Sequence, residues 1–189
     1  MQDAGTVTRL LHAWQGGARS AEDDILALVY EELRLLARQQ LRRSRPLTLL
    51  ETRDLVHEAW LRLMGGAGLA SLAGKDDLLR LMSRVMRRVV IDAYRHKSAQ
   101  RRGGADVRVR LDEADLGVEG DPAAGLALDE ALDRLAAHAP RAATVVEMRY
   151  YGGCSVEETA AALAVDRTTV IRDWVTARAW LLRELGGGR

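Results

Sequence analysis

Near the C-terminal end of the chain, Arg167, Thr168, Ile171, Arg172, Val175 and Thr176 form a set of side chains suited to reading base edges. An arginine can donate two hydrogen bonds to guanine, and methyl-bearing groups can touch thymine methyls. A second set is basic. Between residues 80 and 102 stand Arg80, Arg84, Arg87, Arg88, Arg95, Lys97, Arg101 and Arg102, against the single acid Asp92. A helix so rich in one sign offers a rail for phosphates, and Tyr94 and His96 interleave flat rings able to stack on bases. A third set, Asp54, Glu58 and Arg62, falls at i, i+4 and i+8 and so on one strip of a helix. On charge alone it reads as an intrahelical salt-bridge ladder, worth tenths of a kcal/mol per pair.

The elements that must hold these groups are helices. Val170, Trp174, Ala177 and Leu181 follow a 4-3-4 spacing and mark the packed face of the last one, which leaves the reading residues outward. Asp166 can cap that helix, which extends to about Leu185. Before it, Ser155-Val156-Glu157-Glu158 is a capping box opening a helix through Thr159, Ala160 and Leu163. Only the brief turn at Ala164-Val165 separates the two, and small Ala160 and Ala161 permit close approach. This is a helix-turn-helix pattern.

Upstream, Val7, Leu10, Leu11 and Trp14 give a short first helix that Gly16-Gly17 interrupts. Ile25, Leu28, Val29, Leu33, Leu36, Ala37 and Leu41 mark a long second helix ending at Pro46. Thr52 can cap a third, with Leu55, Val56, Ala59, Trp60 and Leu63 inward, ending in the stretch Gly65 to Gly74. Asp76 or Asp77 starts a fourth, running to about Arg102, with Leu78, Leu81, Val85, Val89, Ala93 and Tyr94 as its apolar stripe. From Gly103-Gly104 to Gly125 the composition changes: Asp112, Glu113, Asp115, Glu119 and Asp121 occur, with no Lys or Arg after Arg110. That segment reads as a flexible acidic linker. Leu128, Leu132 and Leu135 then mark another helix, and Pro140 opens one carrying Val145, Val146 and Met148 to Gly152-Gly153.

The fold class expected is therefore all-α: two small helical domains over 1–102 and 126–189, joined by a linker over 103–125. Composition agrees. The 189 residues are 48% hydrophobic but only 4% aromatic, so the core must be built from Leu, Val and Ala, as helix-on-helix packing permits. A net charge of +1 favours no class of partner and moves the electrostatic signal into its distribution. The single Cys154 cannot form an internal disulfide, and His12, His57, His96 and His138 are too scattered for a zinc site. Met1-Gln2-Asp3 lacks a secretion signal's basic start, and no apolar run is long enough to cross a bilayer. A cytoplasmic protein without cofactor or metal is expected. It carries no phosphate-binding glycine loop, nucleophile elbow or metal-spaced carboxylates, so no catalytic residues are assigned and an enzyme is not expected.

Taken together, the two domains and their linker resemble an RNA polymerase sigma factor of the extracytoplasmic-function (ECF) type. The resemblance rests on Leu55-Val56-His57-Glu58-Ala59-Trp60-Leu61-Arg62-Leu63, on Met86-Arg87-Arg88-Val89-Val90-Ile91-Asp92, and on the run from Val145 to Ala160. Thr169-Val170-Ile171-Arg172-Asp173-Trp174 and Ala177-Arg178-Ala179-Trp180-Leu181 complete it, and look most like the ECF-like subgroup with an Arg-Asp-Trp recognition helix.

The resemblance implies that residues 1–102 act as region two, gripping the clamp helices of core polymerase through Asp54, Glu58 and Arg62. It implies −10 contacts and melting by Arg87, Arg88, Tyr94, Arg95, His96 and Lys97. Residues 126–189 would act as region four on the flap, reading the −35 element through Arg167, Thr168, Thr169, Ile171, Arg172, Val175 and Thr176. The linker resembles a segment threading the polymerase channel, and an anti-sigma factor joins the candidate partners. No membrane partner is implied. Two departures stand out: Leu78-Leu79 occupies the place of an aromatic pair, and Ile171 and Val175 stand where many relatives place a polar or aromatic contact. The competing reading is a conventional helix-turn-helix regulator binding DNA as a dimer on a palindrome.

Overall fold

The computed structural model describes residues 4–43, 51–65, 69–100, 107–111, 116–120 and 122–186. The chain is helical, as the periodicity requires. Helices α1 (Ala4–Gln15), α2 (Arg19–Arg43), α3 (Thr52–Met64) and α4 (Lys75–Gln100) come first, and α5 (Pro122–His138), α6 (Pro140–Val146), α7 (Val156–Leu163) and α8 (Arg167–Gly186) follow. Among the described residues no helix is long and apolar enough to cross a membrane.

Local chemistry sets the helix ends. Ser155 Oγ accepts the Glu158 N–H at 3.1 Å while the Glu158 carboxylate accepts the Ser155 N–H at 3.1 Å, the reciprocal cap that starts α7. Asp166 accepts the Thr169 N–H at 2.8 Å and starts α8. The start of α3 differs from expectation: Thr52 is already helical, and Glu51 before it makes no side-chain cap. At α4 the carboxylate of Asp77 reaches back to the Ala73 N–H at 2.8 Å. Pro46, Arg101, Arg102 and Gly103-Gly104 lie outside the described residues.

Two described stretches of the expected linker are strands. Strands β1 (Val107–Leu111) and β2 (Leu116–Gly120) pair antiparallel, with Val107 opposite Gly120 and Leu111 opposite Leu116. The alternation Val-Arg-Val-Arg-Leu carries the period of two that a strand needs, a signal masked by the surrounding acids. Of those acids, Asp112, Glu113, Asp115 and Asp121 lie outside the described residues. Helix α5 begins at Pro122, ahead of the expected 126.

Helix α4 is the axis of the molecule. The expected stripe is buried at Leu78, Val85, Val89 and Tyr94, and a second face, Met82, Met86 and Val90, is buried as well. A helix apolar on two faces must be covered on both. The buried cluster accordingly runs from α1 through α4 into α5, α6 and α8 without a break. Close approach is possible because glycines face α4. A Cβ on Gly125 would fall 2.4 Å from the Tyr94 ring, and one on Gly152 would fall 1.8 Å from Ser83 Oγ. After α6 the backbone widens into a π-helical turn over Glu147–Tyr151, and Gly153 at φ +60° redirects it into α7.

Cys154 sits in a satellite cluster with Leu79, Met148 and Ala162. Burial, with the nearby Glu158 charge, pushes its thiol up to about 12, so it stays neutral and unreactive at ordinary pH. The folded protein is expected to resist a thiol-disulfide reagent at neutral pH and to release one equivalent once denaturant is added. Full reaction before unfolding would contradict this packing.

Candidate nucleic-acid interface

The turn between α7 and α8 closes through Val165 N–H to Ala160 carbonyl at 3.0 Å, with Ala164 left-handed at φ 52°. This holds α8 across α7, and its buried positions are Val170, Asp173, Ala177 and Leu181. Trp174, expected on that face, is half-buried and lies beneath the Arg149 guanidinium, 5.2 Å from ring centre to Cζ. Outward stand Ile171, Arg172, Val175 and Thr176; Ile171 is 48% exposed and Val175 56%. Among the described residues Arg172 makes no ion pair, which leaves its guanidinium fork open.

The first turn of α8 is less free. Arg167 pairs with Glu157 of α7 at 2.6 Å, Thr168 bonds to Asp166, and the Thr169 hydroxyl donates to Asp166 at 2.8 Å. Those hydroxyls, with the Thr169 N–H, hold the Asp166 carboxyl well below its usual range. Of the seven residues expected to meet the −35 element, four thus face outward uncommitted and three are tied into the cap or to α7.

On α4 the expected residues divide between two environments. Arg88 and Arg95 are exposed, Arg95 bonding back to Asp92 at 3.0 Å. His96 is exposed and Lys97 half-buried. Tyr94 is only 1% exposed, its ring in the core against Gly125 rather than on the basic surface. Arg87, next to Arg88 in sequence, points the other way: it pairs with Asp129 at 2.7 Å, Asp133 at 2.5 Å and Glu147 at 3.3 Å. Arg84, named with the basic set but not among the expected −10 contacts, precedes Arg88 by one turn and Arg95 by three. These three, with Arg62, line an open cleft of about 480 Å³ whose far wall is Asp129, Asp133 and Glu147.

Helix α3 shows why its charges are more than a ladder. Arg62 bonds Glu58 at 2.8 Å but also Asp92 of α4 at 2.9 Å, tying the two helices together. Asp54 and Glu58 remain exposed, and Leu61 shares their strip at 52% exposure. Nearby, Tyr30 of α2 and Trp60 of α3 meet edge to face at 5.8 Å between ring centres. Acids beside exposed apolar side chains make a surface suited to another protein rather than to DNA. Leu78 and Leu79, in the place of an aromatic pair, are both buried.

A helix-turn-helix whose outward arginine makes no ion pair among the described residues, joined to a helical body with an arginine cleft, presents two surfaces suited to nucleic acid. The chain matches the family model for ECF sigma factors over residues 4–187, and it belongs to that family. It directs RNA polymerase to promoters, with core polymerase and promoter DNA as its partners. No curated protein matches the chain.

Proposed function

We propose that α8 reads the −35 element in the major groove while α3 and α4 engage the polymerase clamp helices and the −10 element. The observation that carries this reading is the outward arc Ile171, Arg172, Val175 and Thr176, whose members have no structural employment inside the fold. Residues 1–102 then serve as region two, 103–125 as the connecting segment and 126–189 as region four, which also meets the flap. The Arg172-Asp173-Trp174 tripeptide supports membership of the subgroup with that recognition helix. An anti-sigma factor would cover the acidic and apolar strip of α3 or the arginine cleft, and the whole cycle would run in the cytoplasm.

Geometry adds a requirement. The two elements lie about 25 base pairs apart, or about 85 Å at the usual rise of 3.4 Å. A packed chain of this length has a radius of gyration of about 16 Å. The arrangement in which α5 covers α4 cannot touch both elements at once, so α5 leaves α4 when promoter is bound, and Arg87 and Tyr94 become available then.

Run-off transcription with core polymerase over a promoter library tests the reading. Wild type is expected to select a −35 and a −10 element, and Arg172→Ala to lose about 1–3 kcal/mol of preference at one −35 position. A dimer shifting palindromic DNA without supporting run-off would favour the conventional regulator instead.

A further inference from the structure

Asp173 is a carboxylate next to the reading arginine, on a helix that must approach a polyanion, and the −35 reading above gives it no role. We propose that Asp173, held by Arg141 of α6, is a positioning residue that sets the roll of the recognition helix and so the aim of Arg172. The inference rests on α8 being the −35 reader.

The carboxylate faces inward: Asp173 is 9% exposed, and it accepts the Arg141 Nε at 2.6 Å and Nη2 at 3.3 Å, one oxygen for each nitrogen of the fork. Arg141 follows Pro140 in the first turn of α6, so its base is fixed by the start of that helix. The fully buried apolar positions of α8 are Val170, Ala177 and Leu181, with Trp174, Trp180 and Leu185 partly buried against the core, and hydrophobic burial has little directional preference. Such packing holds α8 down and leaves a directional bond to refine its rotation. A forked ion pair is directional. Trp174, turned roughly 100° from Asp173 by the helix pitch, supplies a second fixed point beneath Arg149.

The consequence for recognition is geometric. A 20° roll moves an atom about 6 Å from the helix axis by about 2 Å, enough to take a guanidinium out of hydrogen-bond range of a base. The three successive residues therefore divide the work: Arg172 reads, Asp173 fixes the rotation and Trp174 seats the helix.

The test uses the full chain with core polymerase, a library randomised across the −35 element, and thermal unfolding of each variant. Asp173→Asn and Arg141→Gln are expected to lower transcription from the preferred −35 sequence about tenfold, the factor for one misaligned charge-assisted hydrogen bond. Both should flatten the base preference that Arg172→Ala flattens. Adding Arg172→Ala to Asp173→Asn should cost little more, because the contact is already lost. The exchanged pair Arg141→Asp with Asp173→Arg should recover preference. If Asp173→Asn fails to fold, Arg141→Lys replaces it: the charge stays, the fork goes, and the same positions should flatten.

Wild-type base preferences in folded single variants, with only a lower melting temperature, would overturn the proposal and leave a merely stabilising ion pair. Wild type without any −35 preference would instead remove the reading on which the proposal rests.

Discussion

Gly152→Ala is expected to lower the free energy of unfolding by about 1–3 kcal/mol, the usual cost of forcing a methyl into a filled core. The new Cβ would stand 1.8 Å from Ser83 Oγ, 2.8 Å from Ser83 Cβ and 2.7 Å from the Met148 carbonyl oxygen. Ser83 cannot simply step aside, for its hydroxyl donates to the Leu79 carbonyl at 2.7 Å and it is fully buried. Backbone strain plays no part, since Gly152 has φ −88°. Urea unfolding of the variant beside Gly152→Ala with Ser83→Ala gives the measurement. The second substitution removes the nearest clashing atom and should restore part of the loss. Wild-type stability in Gly152→Ala would mean that the π-helical turn does not press against α4.

The other large effect concerns Arg87. Its side chain is 17% exposed and its guanidinium lies among Asp129, Asp133 and Glu147, so two arrangements compete for one charge: the acids of the C-terminal half, or the phosphates of the −10 strand. Asp129→Asn with Asp133→Asn should release Arg87 without altering it. Taking their combined hold as about 1.5 kcal/mol, the lower end for hydrogen bonds to charged groups, the open fraction rises about tenfold. Fluorescence anisotropy of the free protein on a forked −10 oligonucleotide should show that gain, together with reduced thermal stability. Arg87→Gln loosens the same contact but removes the cation, so its affinity should fall. Equal affinity of the acid-neutralised variant and wild type would show that Arg87 is not withheld from DNA by α5. Gln40, Arg43 and Lys75 supply further bonds across the same contact, to the Tyr150 carbonyl and to Glu158. The neutralised chain should therefore remain folded.

Much of this was legible without coordinates because helices announce themselves locally. The capping box at Ser155 and the Asp166 cap bracket the two helices of the DNA reader within a few residues of chain, and side-chain period alone turns Arg172 outward. The strand pair 107–111 and 116–120 was missed because its alternation is short and the acids around it dominate the composition. The second apolar face of α4 was equally present in Met82, Met86 and Val90, but a stripe says that something must cover it and not what.

Sequence by itself determined the helices, the caps of α7 and α8 and the chemistry of the face that α8 leaves exposed, since each depends on bonds and periods spanning a few residues. Only the tertiary structure decided which cations are free. Arg87 and Arg88 are adjacent and chemically identical, yet one meets three carboxylates and the other meets solvent. Asp173 likewise faces Arg141, a residue 32 positions away, rather than the groove. The physical reason is that a helix fixes the angle between neighbouring side chains, whereas the identity of what lies at that angle depends on the approach of another helix. Here that approach is set by two glycines, Gly125 and Gly152, whose missing side chains let the C-terminal half close on α4.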